Sequence, residues 1–194
     1  QPLDVAQLAE AIMSTQTAGG PARRGVNFRM DLPPPGTAMV MADADRLAQV
    51  LNNLVDNAIS FSPEGGTITI SAWRQGPVVN MAVTDEGPGV PPEVRQSIFE
   101  RFYSERAEGE EFGKHSGLGL SIARAIVEAM DGQIRVEDRA TVERALAAHA
   151  AGLDFADALH HASYADCSGM ATFDDRGFAR RARKLGMVPA VSLP

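Results

Sequence analysis

The sequence is short of cysteine and of long hydrophobic runs, and both shortages narrow the possible classes of protein. Its one cysteine, Cys167, excludes an internal disulfide and a cysteine-based zinc site. No run of about 18 consecutive apolar residues is present, so no segment is predicted to span a membrane. Because the amino end shows no export signal either, we expect a cytoplasmic protein without membrane contact.

Charge limits the partners and suggests a domain boundary. The 194 residues carry 25 acidic and 18 basic side chains, a net charge of −7, and this balance disfavours general binding to nucleic acid. The acidic excess lies in residues 1–137, with 18 acidic against 11 basic residues, whereas residues 138–194 hold seven of each. The shift predicts a first domain, 1–137, followed by a separate tail, 138–194.

Hydrophobic periodicity predicts an α+β fold for the first domain, with a mixed sheet and helices on one face. Helices are predicted at 5–14, capped by Asp4, at 45–61, capped by Asp43 or Asp45, near 92–102 and at 118–130. Strands are predicted at 25–31, 67–73, 78–84 and 133–137, the second and third as a hairpin. The tail is predicted to be mainly helical, at 140–151, 154–165 and 176–185, with a last strand at 188–193 that could occupy an open sheet edge.

Two asparagines on the predicted helix 45–61 are the first candidate site residues. Asn53 and Asn57 are four residues apart, so their amides project from one helix face, opposite the apolar stripe. An amide oxygen is a neutral ligand for Mg²⁺, and an amide NH₂ can donate to a phosphate. The pair is equally compatible with two solvated surface asparagines.

A glycine turn after a strand and an aromatic cluster follow. The turn holds Asp85, Gly87 and Gly89, where a carboxylate could accept from an exocyclic amine such as that of adenine while the glycines admit a flat ring. The cluster is Phe99, Phe102 and Tyr103, which could anchor a loop or belong to the core. In isolation, the turn is equally compatible with an ordinary tight turn.

The last pattern opens the predicted helix 118–130. Its segment 116–121, Ser-Gly-Leu-Gly-Leu-Ser, places two glycines at a helix start, where unpaired N–H groups and the helix dipole favour an anion such as polyphosphate. No Gly-Lys-Ser or Gly-Lys-Thr sequence follows, so this is not a Walker A loop.

The four patterns, in this order and spacing, resemble the N, G1, F and G2 boxes of the ATP-binding catalytic domain of sensor histidine kinases. That domain belongs to the wider family that includes Hsp90, type II topoisomerases and mismatch-repair ATPases. The stretch 99–130, FERFYSERAEGEEFGKHSGLGLSIARAIVEAM, is similar to the ChvG-type branch of these kinases. The resemblance covers about residues 1–137 and implies the two-layer α/β sandwich of the Bergerat type.

The resemblance also implies roles for individual residues, with ATP and Mg²⁺ as cofactors. Asn57 would hold Mg²⁺ with Asn53 beside it, and Asp85 would contact adenine above Gly87 and Gly89. A lid, 104–116, would be seated by the three aromatic residues and would be mobile without nucleotide. The resemblance implies further positions at the phosphates: Lys114, Gly117, Leu118, Gly119 and Leu120. Lys114 lies in the lid and is one of only two lysines in the chain.

A phosphoacceptor histidine is missing from the pattern. The four histidines, His115, His149, His160 and His161, lack the acidic residue and proline that follow the acceptor in this family. The resemblance therefore implies a protein-histidine kinase fragment, the cytoplasmic part of a membrane-bound sensor, that phosphorylates a separate dimerisation domain and, through it, a response regulator. A catalytically silent nucleotide-binding module is the alternative.

The tail resembles a different family. Residues 152–160 and 172–174 are similar to the second half of PIN-domain ribonuclease toxins, in which Asp157 and Asp174 would match metal-holding carboxylates. The first acid and the glutamate of that family have no counterpart here, and the favoured interpretation is that Asp154 and Asp157 cap and solubilise a helix. A toxin remnant is thus a second alternative function, and the apolar faces of the tail predict a possible homodimer through it.

Overall fold

The computed structural model describes residues 1–18, 25–103, 117–153, 155–163, 170–171 and 178–192. The chain divides into two units, Gln1–Val136 and Glu137–Pro194. None of the helices in the described ranges is both long enough and apolar enough to cross a membrane.

Within its described residues, the first unit contains five strands and three α-helices. Its elements, in chain order, are β1 Pro2–Asp4, α1 Val5–Ala18, β2 Asn27–Asp31, β3 Met39–Met41, α2 Ala44–Phe61, β4 Thr67–Gln75, β5 Val78–Thr84 and α3 Gly119–Glu128. Strand β2 runs parallel to β4 and β5 runs antiparallel to it, so the three form a mixed sheet. Strands β1 and β3 form a separate antiparallel pair.

The core lies between the mixed sheet and the helices. Ile68 and Ile70 of β4 are fully buried in one cluster with Leu51 and Val55 of α2. A second cluster joins the other side of α2 to α3, and it contains Leu47, Val50, Ala123 and Ile126. The expected α+β class, with helices on one face of a mixed sheet, is confirmed.

Aspartates cap the first two helices. Asp43 caps α2 by accepting from Arg46 N at 3.1 Å, so the first of the two predicted caps is the one in use. Asp4 accepts from Ala6 N at 3.0 Å at the start of α1, and its other oxygen accepts from Gly36 N. Asp4 is 7% exposed, so one buried carboxylate joins a helix start to the loop that precedes β3.

We expect Asp4→Ala to lower the stability of the first unit by about 1–3 kcal/mol, because the buried amide of Ala6 and the amide of Gly36 both lose their acceptor. The control is Asp43→Ala, which removes one exposed bond and should cost about 1 kcal/mol or less. Trp73 is the single tryptophan and lies in β4, so its fluorescence during denaturant unfolding measures this unit. Equal losses in the two variants would contradict the clamping role of Asp4.

Two predictions in the first unit were wrong. The predicted helix 92–102 is a pair of short 3₁₀ turns, Pro92–Val94 and Ser97–Phe99, and Phe102 ends the segment with a φ of 65°. A left-handed residue cannot continue a right-handed helix. Residues 133–137 were predicted to form a strand, but they carry no strand pairing in the structure.

The second unit is mainly helical, as predicted. It contains α4 Arg139–Ala150, α5 Phe155–Ala162 and α6 Phe178–Lys184, with a two-residue parallel pair, β6 Met170–Ala171 and β7 Val191–Ser192. Of the predicted last strand, 188–193, the structure describes the two residues of β7, which pair with β6 of the same unit, and the pairing of this strand with the first sheet stays a prediction. Pro189 has no N–H to donate, which limits how far this strand can extend.

Candidate nucleotide-binding site

The second half of α2 is the surface around which the predicted site residues gather. Asn53 and Asn57 are both half-buried on this helix, one turn apart. Each of the other patterns that the structure describes either contacts α2 or contacts a segment that does.

The start of α3 meets α2 at Asn53. A Cβ added at Gly119 would lie 3.7 Å from Asn53 Oδ1, an ordinary contact distance, so a side chain here would face the asparagine. Asn53 Nδ2 is buried and has no hydrogen-bond partner within the described ranges. A buried donor of this kind costs free energy unless something accepts from it.

The amino end of α3 has donors of its own. Leu118 precedes the helix and makes no side-chain capping bond, and the first amide that bonds back along the helix is Ile122 N, to Leu118 O at 2.9 Å. The amides of Gly119, Leu120 and Ser121 therefore have no acceptor inside the helix. Together with Asn53 Nδ2 they form a set of donors suited to an anion.

The glycine turn after β5 meets the carboxyl end of α2. Gly87 N donates to Asp85 Oδ1 at 2.7 Å. A Cβ added at Gly87 would lie 2.6 Å from that oxygen and 2.8 Å from the backbone oxygen of Phe61, the last residue of α2. Only glycine fits at this position, and the close contact fixes the position of Asp85 relative to α2.

The aromatic segment is tied to the start of α3. Phe102 N donates to Gly117 O at 3.0 Å, and a Cβ added at Gly117, whose φ is 65°, would lie 2.8 Å from Tyr103 O. Phe99 is buried, Tyr103 is half-buried and Phe102 is 74% exposed. Phe99 is thus a core residue, whereas Phe102 presents its ring to the surface.

Not every predicted residue has a described contact. Gly89 is exposed with open space around it, Leu118 and Leu120 are half-buried at the helix start, and Asn57 faces the same side of α2 as Asn53. Lys114 and the whole predicted lid, 104–116, lie outside the described residues.

Three contacts of the site were not predicted. The backbone oxygen of Phe61 leaves no room for a side chain at Gly87. Arg95 Nε donates to Val90 O at 3.2 Å, and Glu86 Oε2 accepts from Thr67 N at 3.2 Å. The last two hold the glycine turn at its two ends. The local sequence does not indicate these three contacts, because each depends on the path of the backbone in the folded protein.

The fold and this arrangement of donors and glycines define an ATPase-type domain of the two-layer class. The family described as histidine kinase-, DNA gyrase B-, and HSP90-like ATPase matches residues 42–150, more than half of the chain. The chain belongs to this family.

Individual relatives are sensor kinases. Sensor protein ChvG of Rhizobium meliloti (strain 1021) is 48% identical over 94 residues, which cover 48% of this chain and 16% of that protein. The catalytic domain of histidine kinase ThkA is similar with a TM-score of 0.61 at 30% identity, covering 72% of this chain and 87% of that one. ThkA also has a structure in complex with response regulator protein TrrA.

A third relative was solved with a nucleotide analogue. Full-length ShkA in complex with AMPPNP is similar with a TM-score of 0.59 at 30% identity, covering 72% of this chain and 28% of that one. This chain therefore corresponds to a small part of ChvG and of ShkA, and to most of the isolated catalytic domain of ThkA.

Proposed function

We propose that residues 1–137 are the ATP-binding catalytic domain of a sensor histidine kinase, with residues 138–194 as a separate tail. The observation that carries the proposal is the buried Nδ2 of Asn53, which has no hydrogen-bond partner among the described residues, beside the start of α3, which has no side-chain cap. These donors suit the phosphates of ATP, and the relative ShkA was solved with AMPPNP. The division of the chain at residues 136 and 137 supports the same boundary.

Asp85 is proposed to bind the base. Its carboxylate is fixed by Gly87 N at 2.7 Å, next to the carboxyl end of α2. The second oxygen can accept from the exocyclic amine of adenine, while Gly87 and Gly89 leave the ring face open. Phe99, Phe102 and Tyr103 would seat the lid that carries Lys114.

Mg²⁺ is proposed to bind at Asn57. The donor set fits, because an amide oxygen is a ligand that magnesium accepts beside phosphate oxygens, and Asn57 lies one turn beyond Asn53. When bound, the ion would neutralise phosphate charge. The role of the chain is to position the γ-phosphate between α2 and α3 for in-line attack by an imidazole nitrogen, with ADP as the leaving group.

The acceptor imidazole is proposed to come from a dimerisation domain outside this sequence, and a response regulator would then receive the phosphate. Among the four histidines the structure describes the side chain of His161, which is 2% exposed and has Nε2 2.7 Å from Pro189 O. A side chain so enclosed is unsuited to attack ATP. The ThkA–TrrA complex supports a response regulator as the downstream partner.

The direct test mixes the full chain with Mg²⁺, γ-labelled ATP and a separately produced phosphoacceptor domain of a sensor histidine kinase. We expect ATP binding and label on the acceptor domain. Binding without transfer to acceptor domains from several ChvG-type kinases would support the silent nucleotide-binding module instead. No binding at all would contradict the proposed function.

We expect Asn57→Ala to remove the dependence of ATP affinity on Mg²⁺, because the variant lacks the protein ligand of the ion. Asn53→Ala is the matched variant one turn earlier. It should weaken binding both with Mg²⁺ and with a chelator, because it removes a donor to phosphate. Calorimetric titrations with and without Mg²⁺ measure both, and an unchanged metal dependence in Asn57→Ala would remove that residue from the metal site.

For the tail we propose a remnant of PIN type without nuclease activity. Asp157 lies in the first turn of α5 and is half-buried, while Asp174 lies outside the described residues. No group of three or more metal-binding side chains was found in the part of the chain that the structure describes. We expect no RNA cleavage with Mg²⁺ or Mn²⁺, and cleavage that is lost in Asp157→Ala would establish the toxin alternative.

A further inference from the structure

Ser62 holds a buried hydroxyl next to the proposed nucleotide site. It directly follows α2, and its backbone N donates to Ala58 O at 2.9 Å. The residue is 5% exposed, and its Oγ is buried with no hydrogen-bond partner among the described residues. A buried hydroxyl without a partner costs free energy, so a ligand that pairs with it recovers that cost as affinity.

The backbone on both sides of Ser62 is attached to the glycine turn after β5. On the amino side, the carbonyl carbon of Phe61, to which Ser62 N is bonded, would lie 3.2 Å from a Cβ added at Gly87. On the carboxyl side, Thr67 N donates to Glu86 Oε2 at 3.2 Å. Ser62 therefore lies beside the turn in which the proposed base contact is made.

The following proline fixes the backbone of Ser62. A residue before proline is confined to extended backbone, and Ser62 has a φ of −67° and a ψ of 143°. The next turn is held by Gly66 N, which donates to Pro63 O at 3.0 Å. The position of the Ser62 Cβ is thus set, and rotation about one bond aims Oγ in one of three staggered directions. Because so little has to be ordered, a group that pairs with this hydroxyl loses little affinity to entropy.

We propose that Ser62 Oγ donates to ring nitrogen N1 of adenine, an inference that rests on the proposed binding of ATP. The edge of adenine that carries the amine also carries N1, which is an acceptor. The carboxylate of Asp85 can accept from the amine, but it has no proton to give to N1. Gly87 N already donates to Asp85 Oδ1 at 2.7 Å. The hydroxyl of Ser62 supplies the missing donor, with one bridging water where the two atoms are too far apart for a direct bond.

Asp85 and Ser62 then have different tasks at the same edge of the base. A carboxylate only accepts, so Asp85 disfavours a base that carries an oxygen in place of the amine. A hydroxyl both donates and accepts, so Ser62 adds affinity for adenine without excluding a base whose N1 carries a hydrogen. The probe for Ser62 is therefore a nucleotide that lacks N1.

The experiment titrates ATP, 1-deaza-ATP and 7-deaza-ATP calorimetrically into the full chain and into Ser62→Ala. In 1-deaza-ATP a C–H group replaces N1, so the proposed hydrogen bond is missing. In 7-deaza-ATP the replaced nitrogen belongs to the five-membered ring, away from N1. Thr15→Ala is the control variant, because it removes a hydroxyl from an exposed position on α1, where Oγ1 donates to Ala11 O at 3.0 Å.

We expect Ser62→Ala to raise the Kd of ATP and of 7-deaza-ATP by about 2- to 12-fold, the factor for one hydrogen bond, and to leave the Kd of 1-deaza-ATP unchanged. The denaturant midpoint of Ser62→Ala, measured by Trp73 fluorescence, should be at least that of the unchanged chain, because no described hydrogen bond is lost. Thr15→Ala should leave the three Kd values unchanged.

Two results would overturn the role of Ser62 alone. One is an equal loss of affinity for all three nucleotides together with a lower midpoint, which would show that the hydroxyl supports the fold. The other is an unchanged Kd of ATP in Ser62→Ala. If the unchanged chain binds none of the three nucleotides, the proposed function fails as well, so the two failures are distinguishable.

Discussion

Asp85→Asn should weaken ATP binding by about 1–3 kcal/mol, or roughly 5- to 150-fold in Kd, because a partly buried acceptor for the adenine amine is replaced by an amide. The carboxylate of Asp85 is oriented by Gly87 N and by the contact of Gly87 with Phe61 O. An asparagine in the same place can keep one acceptor oxygen, but its NH₂ would face the amine. The loss should therefore concern the base and leave the phosphate donors of α3 unchanged.

Inosine triphosphate separates the base contact from a general loss of structure. Its ring carries an oxygen where adenine carries the amine, so it lacks the group that Asp85 is proposed to accept from. Titrations of both nucleotides into both proteins form a double-mutant cycle. We expect the preference for ATP over inosine triphosphate to shrink in Asp85→Asn, and an unchanged preference would remove Asp85 from base recognition.

Gly87→Ala should abolish measurable ATP binding and also lower the stability of the first unit. The added Cβ would lie 2.6 Å from Asp85 Oδ1 and 2.8 Å from Phe61 O. The oxygen of Phe61 belongs to the backbone at the end of α2, so the glycine turn and Asp85 must move instead. Forced repacking of this kind typically costs about 1–3 kcal/mol.

Gly76→Ala is the matched control for Gly87→Ala, because Gly76 lies in the turn between β4 and β5, at the other end of β5 from Asp85. Gly76 has a φ of 54°, but nothing lies within 4 Å of the position of an added Cβ. Alanine there should cost about 1–2 kcal/mol of backbone strain and should not displace Asp85. Calorimetry and Trp73 fluorescence on both variants measure binding and stability, and equal ATP affinities would contradict the proposed role of the contact between Gly87 and α2.

Elements with strong local patterns could be predicted from the sequence. Helix α2 has a long apolar stripe and an aspartate cap, and the β4–β5 hairpin has β-branched runs on either side of a turn. The contact of Gly119 with Asn53, and that of the Asp85–Gly87 turn with Phe61 at the end of α2, have no counterpart in the local sequence pattern. No periodicity in the sequence places residue 119 next to residue 53 or residue 87 next to residue 61.

The wrong predictions arose where a segment depends on its neighbours. Residues 133–137 have a strand-like pattern, but a strand forms only if another strand offers its backbone groups. Strands β1 and β3 have three residues each and are defined by their pairing with each other, so they are too short for a periodic pattern to predict them. The contacts of Phe61, Arg95 and Glu86 with the glycine turn were missed for the same reason.

The hydrogen bond from Phe102 N to Gly117 O has a consequence for how this domain can change in evolution. It fixes residues 102 and 117 next to each other, so the chain between them begins and ends at one place whatever its length. The entropy lost in joining two points of a chain grows only with the logarithm of the length between them, and a doubling costs about 0.6 kcal/mol. We therefore expect insertions and deletions between these two residues to cost little stability, which leaves the length of this segment free to vary among relatives.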